Sequence, residues 1–272
     1  MPYPKFPTWL LVIFILSTLH LTPAQAALSA EQIQKYKDGV GRIRWREAAN
    51  HMARLRVAPP NSTAARVWKE LDDGIDIANG RNPLARATAA DSPSDLELKA
   101  AWLRGQVLSN RVDGRYGYAY ALNLSRLGNP GDHQMETAIF LAHARLSLQI
   151  DLERCENKMS AMDIMLGYES QPGIRALDKA IRLLSPRQQA TAALEAVILE
   201  ETLGERPPLP WLCNVPSKEL PLTEIETPPG DIGRTFVIGK QPITPKFIDE
   251  SEWRESRRKR LQQLTSSLLS DL

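Results

Sequence analysis

The sequence has few aromatic residues, few cysteines and almost no net charge. Aromatic side chains make up 6% of its 272 residues, and 34 Lys and Arg against 32 Asp and Glu leave a formal charge of +2. The low aromatic content argues against an all-β sandwich built on large rings. The small net charge gives no whole-chain electrostatic reason to bind nucleic acid. Hydrophobic residues at 43% exclude wholesale disorder, and the composition is that of a globular protein.

Signatures of several enzyme classes are also missing. The chain has no HExxH pair, no G-x-S-x-G elbow and no phosphate-binding loop. Gly39 and Gly41 form a Gly-x-Gly, but they lie inside a helical pattern with no preceding strand, so they predict no dinucleotide site. Two cysteines with distant histidines make a poor tetrahedral zinc set. We therefore expect no cofactor and no metal, and the missing signatures favour a protein that is not an enzyme.

Only the first segment is apolar enough to enter a membrane. Lys5 precedes an apolar stretch from Trp9 to Leu19, and a small-x-small site ends at Ala26. The stretch is about half of the ~20 residues that span a bilayer. Residues 1–26 are therefore predicted to be a cleaved signal peptide, with an uncleaved anchor as the alternative. The expected location is periplasmic or secreted, without stable membrane insertion after cleavage.

The chain has two cysteines, Cys155 and Cys213, and both follow the predicted signal peptide. An even number of cysteines in an oxidising compartment favours a disulfide bond between them. The alternative is two separate buried thiols that pack as small apolar groups.

Residues 27–206 read as consecutive helices, because apolar residues recur there at steps of three and four. Two capping boxes, Ser29 with Gln32 and Ser94 with Glu97, predict helix starts. Ser185 and Pro186, with Gln188, predict another, because proline at the first helical position loses no hydrogen bond. The fold class is therefore predicted as all-α, either a multi-helix bundle or a short α-solenoid. The first helical segment starts near Ser29, is weakened in its middle by Gly39 and Gly41, and ends before Pro59. The other predicted helices cover, approximately, 64–78, 94–112, 116–127, 132–155, 174–184 and 185–204, and we expect 132–155 to be the longest uninterrupted helix.

The composition changes after residue 206. Residues 207–248 hold nine of the chain's 20 prolines, which forbids long helices and disfavours central strands. They are predicted to form an extended Pro-rich arm with one strand at 234–239. Residues 249–272 are predicted to form an amphipathic C-terminal helix, in which acidic residues precede basic ones as the helix dipole favours. Whether this helix docks on the helical body or on a partner stays open.

The densest group of titratable residues lies at the start of the helix at 132–155: Asp132, His133, Glu136 and His143. Glu136 and His143 are seven residues apart, which is ~10.5 Å along a helix. A single metal ion needs ligands about 2.0–2.2 Å away, so the two cannot share one. A capping role for Asp132 and core-edge roles for the histidines are the favoured interpretation. A hydrolase that uses these groups is the alternative.

A cluster of aromatic residues is the candidate binding surface. Side chains of this kind could line a groove for a peptide or a sugar, although packing in the core is the competing interpretation. The candidate residues are Trp102, Tyr116, Tyr118, Tyr120 and, on the C-terminal helix, Trp253.

Taken together, these patterns predict an exported helical protein-binding module. The expected partner is another envelope protein, and an immunity or inhibitor-type protein is one version of this prediction. The alternatives are an envelope hydrolase acting through the helix at 132–155, and a structural protein docked to a membrane complex by its C-terminal helix. Binding to nucleic acid is not expected, because basic and aromatic residues are not interleaved.

Overall fold

The computed structural model describes residues 30–56, 61–76, 81–129, 131–213, 222–225, 235–238 and 246–270. The predicted signal peptide lies outside these residues. The described chain is dominated by helices, which confirms the all-α fold class. The helices are α1 (Ala30–Tyr36), α2 (Arg42–Leu55), α3 (Thr63–Asp72), α4 (Leu84–Thr88), α5 (Pro93–Leu108), α6 (Gly114–Leu124), α7 (Gln134–Leu152), α8 (Lys158–Glu169), α9 (Pro172–Ile181), α10 (Pro186–Leu203), α11 (Pro210–Cys213) and α12 (Glu250–Ser270).

Local capping explains where several of these helices begin. Helix α10 begins where Ser185 and Pro186 predicted a helix start. The side chain of Ser185 accepts a hydrogen bond from the Gln188 N–H and forms a capping box there. The predicted box at Ser94 is wrong, because Ser92 is the N-cap of α5. Pro93 follows at the first helical position, where its missing N–H costs no hydrogen bond.

The first helical segment is interrupted at the predicted weak point. Lys37–Gly41 forms a π-helical turn between α1 and α2, and Gly39 leaves helical backbone geometry there with φ −100° and ψ −106°. Such bulges bend a helix and shift the register of its faces. On the two sides of this turn, Ile33 and Trp45 are both buried in the core.

Helix α7 is the central element, with α6 and α10 packed along it. Its Phe140 meets the rings of Trp45 and Tyr120 edge-on, with centroids 5.7 and 4.6 Å away. Helix α6 approaches α7 so closely that a Cβ on Gly114 would lie 2.5 Å from the carbonyl oxygen of Ala144. A side chain at this position would therefore force the two helices apart.

The segment after α11 includes a two-stranded antiparallel ribbon, β1 (Leu222–Ile225) with β2 (Thr235–Ile238). Strand β2 lies within the predicted range 234–239, and its partner β1 was not predicted. The Sγ atoms of Cys155 and Cys213 are 2.00 Å apart, at bonding distance, as the sequence predicted. The bond ties α11 to the end of α7.

Helix α12 packs on the helical body. Trp253 and Leu261 are buried against Leu146, Ile150 and Val197 of α7 and α10. With 21 residues α12 is longer than α7, which has 19, so the expectation that α7 would be the longest helix is wrong. No described helix has both the length and the apolar character needed to cross a membrane.

Candidate functional site

A groove of about 300 Å³ opens on the surface between α4 and the start of α9, with α6 as its floor. We call it the α4–α9 groove. Its volume lies at the lower end of the range of about 300–1,000 Å³ that is typical of ligand pockets. The residues that line it are Asn82, Leu84, Ala85, Thr88, Arg115, Tyr118, Ala119, Leu122, Tyr168, Gln171 and Ile174.

Arg115 on the floor is held rigidly. Its Nε and Nη2 donate to the two carboxylate oxygens of Asp113 at 2.8 and 2.7 Å, and both side chains are buried. Its guanidinium also lies 3.6 Å from the centroid of the Trp211 ring. A bidentate ion pair with a stacking contact fixes the guanidinium plane and neutralises its charge.

Tyr118 forms the aromatic part of the floor. Its ring stacks on Tyr168 with centroids 6.2 Å apart, and its hydroxyl donates a short hydrogen bond to Glu169. Arg145 binds both oxygens of Glu169, at 2.9 and 2.6 Å. Burial, together with the charge of Glu169, raises the pKa of the Tyr118 hydroxyl far above its usual value. The hydroxyl therefore stays protonated, and its proton is committed to the hydrogen bond with Glu169.

The lining of the groove combines apolar side chains with a few polar ones. Asp, Glu, His, Cys and Ser are not among the described residues that line it, and its hydroxyl groups belong to Thr88, Tyr118 and Tyr168. Leu84, Leu122 and Ile174 offer apolar contact, and Gln171 offers a polar amide group. The Asn82 Oδ1 accepts a hydrogen bond from the Leu84 N–H at 3.2 Å. Apolar walls with a few fixed polar groups are the ordinary composition of a binding pocket.

A second cluster of functional groups is buried at the junction of α7, α10 and α12. Arg206, which follows α10, donates from Nε to both oxygens of Asp151 at 3.0 and 3.1 Å. It also donates from Nη2 to both oxygens of Glu200, at 3.0 and 3.1 Å. All three side chains are buried, so this is an ion cluster inside the protein.

Glu200 has two further partners, His143 Nε2 at 3.2 Å and Arg257 Nη2 at 3.1 Å. Burial alone would raise the pKa of Glu200, but Arg206, His143 and Arg257 lower it to about 2. Burial raises the pKa of Asp151 to about 6, against the opposing effect of Arg206. Burial also lowers the pKa of His143, although Glu200 opposes this. The cluster thus keeps Glu200 ionised and His143 neutral.

The cavity beside this ion cluster is too small for a substrate. A cavity of about 10 Å³ lies next to His143, Ser147 and Arg206, which is the room that one water molecule requires. A substrate cannot reach the pair of His143 and Glu200 in this conformation. The cluster is therefore a structural junction, even though it contains the residue types of a hydrolase.

The aromatic candidates lie in the core rather than on a surface. Their exposed fractions lie between 1 and 3%. The rings pack in the apolar interior, and several of their polar atoms find acceptors: Trp102 donates to Asp72, Tyr120 to Glu136 and Trp253 to the Ile150 carbonyl. The buried Tyr116 hydroxyl has no hydrogen-bond partner among the described residues. The predicted aromatic surface of Trp102, Tyr116, Tyr118, Tyr120 and Trp253 is thereby corrected, and Tyr118 alone of the five lines the groove.

The titratable candidates at the start of α7 are not gathered into one site. Glu136 accepts from the Tyr120 hydroxyl at 3.0 Å, while Asp132 accepts from the Asn129 N–H at 2.8 Å. His133 is the N-cap residue of α7, and His143 faces Glu200 on another side. Among the described residues, no three His, Cys, Asp or Glu side chains are placed to hold a metal ion.

The sequence did not predict the α4–α9 groove or the buried ion cluster around Arg206. The wall of the groove at Leu84 and Thr88 belongs to α4, a five-residue helix inside what read as a polar connection. The signal for it was Pro83 followed by a short apolar and basic alternation, which is too brief for a helical period. Arg206 is a single charge at the boundary of the Pro-rich arm and has no sequence neighbour that indicates its partners.

Comparison with known protein families, with curated proteins and with solved structures found no significant match to this chain.

Proposed function

We propose that this protein is exported and that it binds a segment of another envelope protein in the α4–α9 groove. The observation that carries the proposal is the groove itself: about 300 Å³, with apolar walls, a few fixed polar groups and no Asp, Glu or His among its described lining residues. An immunity or inhibitor-type protein held in the periplasm is one form that such a module takes.

Two features support export. The apolar leader ends at a small-x-small site before Ala27. Cys155 and Cys213 lie at bonding distance, and disulfides persist in oxidising compartments. Intact-mass measurement of the exported protein should give a first residue of Ala27. A full-length mass in the membrane fraction would refute cleavage.

Binding is tested by a pull-down from the organism's own envelope fraction, analysed by mass spectrometry. The bait is the full chain, expressed with its own leader and recovered from the exported fraction. Ala85 is exposed on the wall of the groove, so Ala85→Trp fills the groove without entering the core. Ala53→Trp adds the same ring at an exposed position of α2 and is the matched control.

We expect one partner to be retained by the wild type and by Ala53→Trp and to be lost with Ala85→Trp. Equal retention by all three baits would place binding elsewhere on the surface. The hydrolase alternative has one supporting contact, His143 with Glu200, but that contact is enclosed.

A further inference from the structure

The charged groups beside the α4–α9 groove are predominantly basic. On one wall, Nη1 of the exposed Arg126 donates to the carbonyl oxygen of Thr88 at 2.5 Å, which places its guanidinium at that end of the groove. On the other wall, the exposed Arg175 follows Ile174 and lies one helical turn after Gln171. Residues one turn apart share a face of a helix, so Arg175 lies at the opposite rim.

These two arginines carry uncompensated charge. Neither forms an ion pair within 4.0 Å of a carboxylate in the described part of the chain. The acidic residues nearby already have cationic partners. Arg145 binds Glu169 and Asp178, at 2.6 and 2.8 Å.

Two further carboxylates near the groove, those of Glu70 and Asp113, are also paired with arginines. Glu70 pairs with Arg86 at 3.3 Å, and Asp113 pairs with Arg115 at 2.7 Å. The site therefore presents apolar and aromatic side chains between two cationic rims, and the four nearby carboxylates named here are each paired with an arginine.

We infer that the groove binds an acidic peptide segment, which places one large apolar side chain against Leu84, Leu122 and Ile174 and sets carboxylates beside Arg126 and Arg175. This inference rests on the proposed function and names the chemistry of the partner. Opposite charges at the rim steer association and select against basic segments, while the apolar anchor supplies most of the affinity.

A peptide fits these observations better than a polyanion or a lipid surface. Nucleic acids and other polyanions are bound by rows of basic residues that follow a backbone, whereas this groove offers two separated cations. A groove of about 300 Å³ matches one or two side chains. A membrane surface would require a broad basic and apolar face rather than a cleft.

The test is a selection of random nine-residue peptides displayed on phage, carried out on the immobilised full chain. Each enriched peptide is then measured by fluorescence anisotropy against the wild type, Ala85→Trp and the control Ala53→Trp. Gln171→Trp narrows the groove from the other wall at an exposed position, so it replaces Ala85→Trp if that variant fails to fold. Circular dichroism establishes folding for each variant.

We expect the enriched peptides to combine a large apolar residue with two or more Asp or Glu. They should bind the wild type and Ala53→Trp equally and lose about tenfold or more in affinity on groove-filling variants. Groove-dependent peptides that are neutral or basic would overturn the inference and leave the proposed function standing. Peptides that ignore the groove, or no enrichment at all, would overturn both.

The rim charges are tested with Arg126→Gln and Arg175→Gln. Each should weaken an enriched acidic peptide about two- to fivefold, with a larger effect at low salt. Arg54→Gln, at an exposed position of α2, should leave affinity unchanged. Unchanged affinity in both rim variants would overturn the inference. So would groove-dependent binding to phosphatidylglycerol vesicles without groove-dependent peptides.

Discussion

The guanidinium of Arg154 lies 3.4 Å from the centroid of the Trp253 ring and stacks on it. The same guanidinium donates from Nη1 to the carbonyl oxygen of Arg206 at 2.7 Å, and the Trp253 indole N–H donates to the Ile150 carbonyl at 3.0 Å. One residue of α12 is thus joined to the end of α7 by stacking, by a hydrogen bond and by apolar burial.

Replacing Trp253 with alanine should therefore loosen α12 from the body. We expect Trp253→Ala to lower the free energy of unfolding by about 3–5 kcal/mol, because a buried ring leaves a cavity. Urea denaturation at pH 7 measures this, and limited proteolysis should cut within α12. Arg258→Ala, at an exposed position of the same helix, should change stability by less than about 0.5 kcal/mol. Equal stability of the two variants would contradict this role of Trp253.

The ion cluster predicts a non-additive pair of substitutions. Arg206→Met should cost about 3–5 kcal/mol, because it leaves Asp151 and Glu200 buried without their main cation. The double variant Arg206→Met with Asp151→Asn should be less destabilised, since it removes one orphaned carboxylate along with the guanidinium. A double-mutant cycle in urea measures the coupling. A double variant that is less stable than Arg206→Met would refute the pairing.

The low pKa of Glu200 predicts a loss of stability in acid. Between pH 4.5 and about 2 the unfolded chain takes up a proton at Glu200 that the folded chain does not, so stability falls as pH falls through this window. The contribution is on the order of 3 kcal/mol and is fully present above pH 4.5. Urea midpoints at several pH values should show a shallower decline for Glu200→Gln.

The contribution of Asp151 to stability changes with pH in the opposite direction to that of Glu200. The effect of Glu200 is therefore best measured at a pH where the contribution of Asp151 is constant. With its pKa raised to about 6, Asp151 contributes stability below its usual value of 3.8 and loses it as pH rises through 6. The contribution of Asp151 is therefore constant below pH 3.8. An equal acid slope of wild type and Glu200→Gln in that range would show that Glu200 is not held ionised.

The disulfide should stabilise the fold by restricting the unfolded chain. The 58-residue separation of Cys155 and Cys213 corresponds to roughly 4 kcal/mol in the chain-entropy model. A Cys155→Ser, Cys213→Ser double variant should lose stability of this order, and wild type treated with reductant should match it. Two alkylatable thiols in the native, unreduced protein would contradict the bond.

Substitution by alanine should have opposite effects on stability at Gly114, where α6 closely contacts α7, and at Gly167, where the surroundings are open. Gly114→Ala should destabilise strongly, by more than about 2 kcal/mol, because its Cβ would meet backbone and side-chain atoms of α7 below 3 Å. Gly167→Ala in α8 meets nothing within 4 Å, so alanine should stabilise by about 0.5–1 kcal/mol. Thermal unfolding of both variants measures the difference, and the same sign for both would refute the packing argument.

Local rules account for what the sequence could predict. The start of α10 follows from Ser185, Pro186 and Gln188, which act within one turn. Helix α8 was missed because methionines and other apolar residues occur around its whole circumference and give no stripe. Such a segment is recognisable only once its neighbours are known.

The candidate site could not be predicted, because it depends on contacts distant in sequence. Arg206 meets Asp151 across 55 residues, and Tyr118 meets Glu169 across 51. Charges read singly along the chain look solvated, and a tyrosine reads equally as core or surface. Whether such a side chain is buried or exposed depends on which distant residue it contacts, and the packing of the helices determines those contacts.

The first and last helices of the described chain contact each other. The native contacts of the first helix therefore cannot form until the last helix has been synthesised. Lys37 contacts Thr265, and the Trp45 indole N–H donates to Glu195. At about 5–20 residues per second, Lys37 is added to the chain roughly 10–45 s before Thr265. During much of that interval the indole of Trp45 lacks its acceptor and its apolar cover. The earliest-made helices therefore complete their native packing only after almost the whole chain has been made.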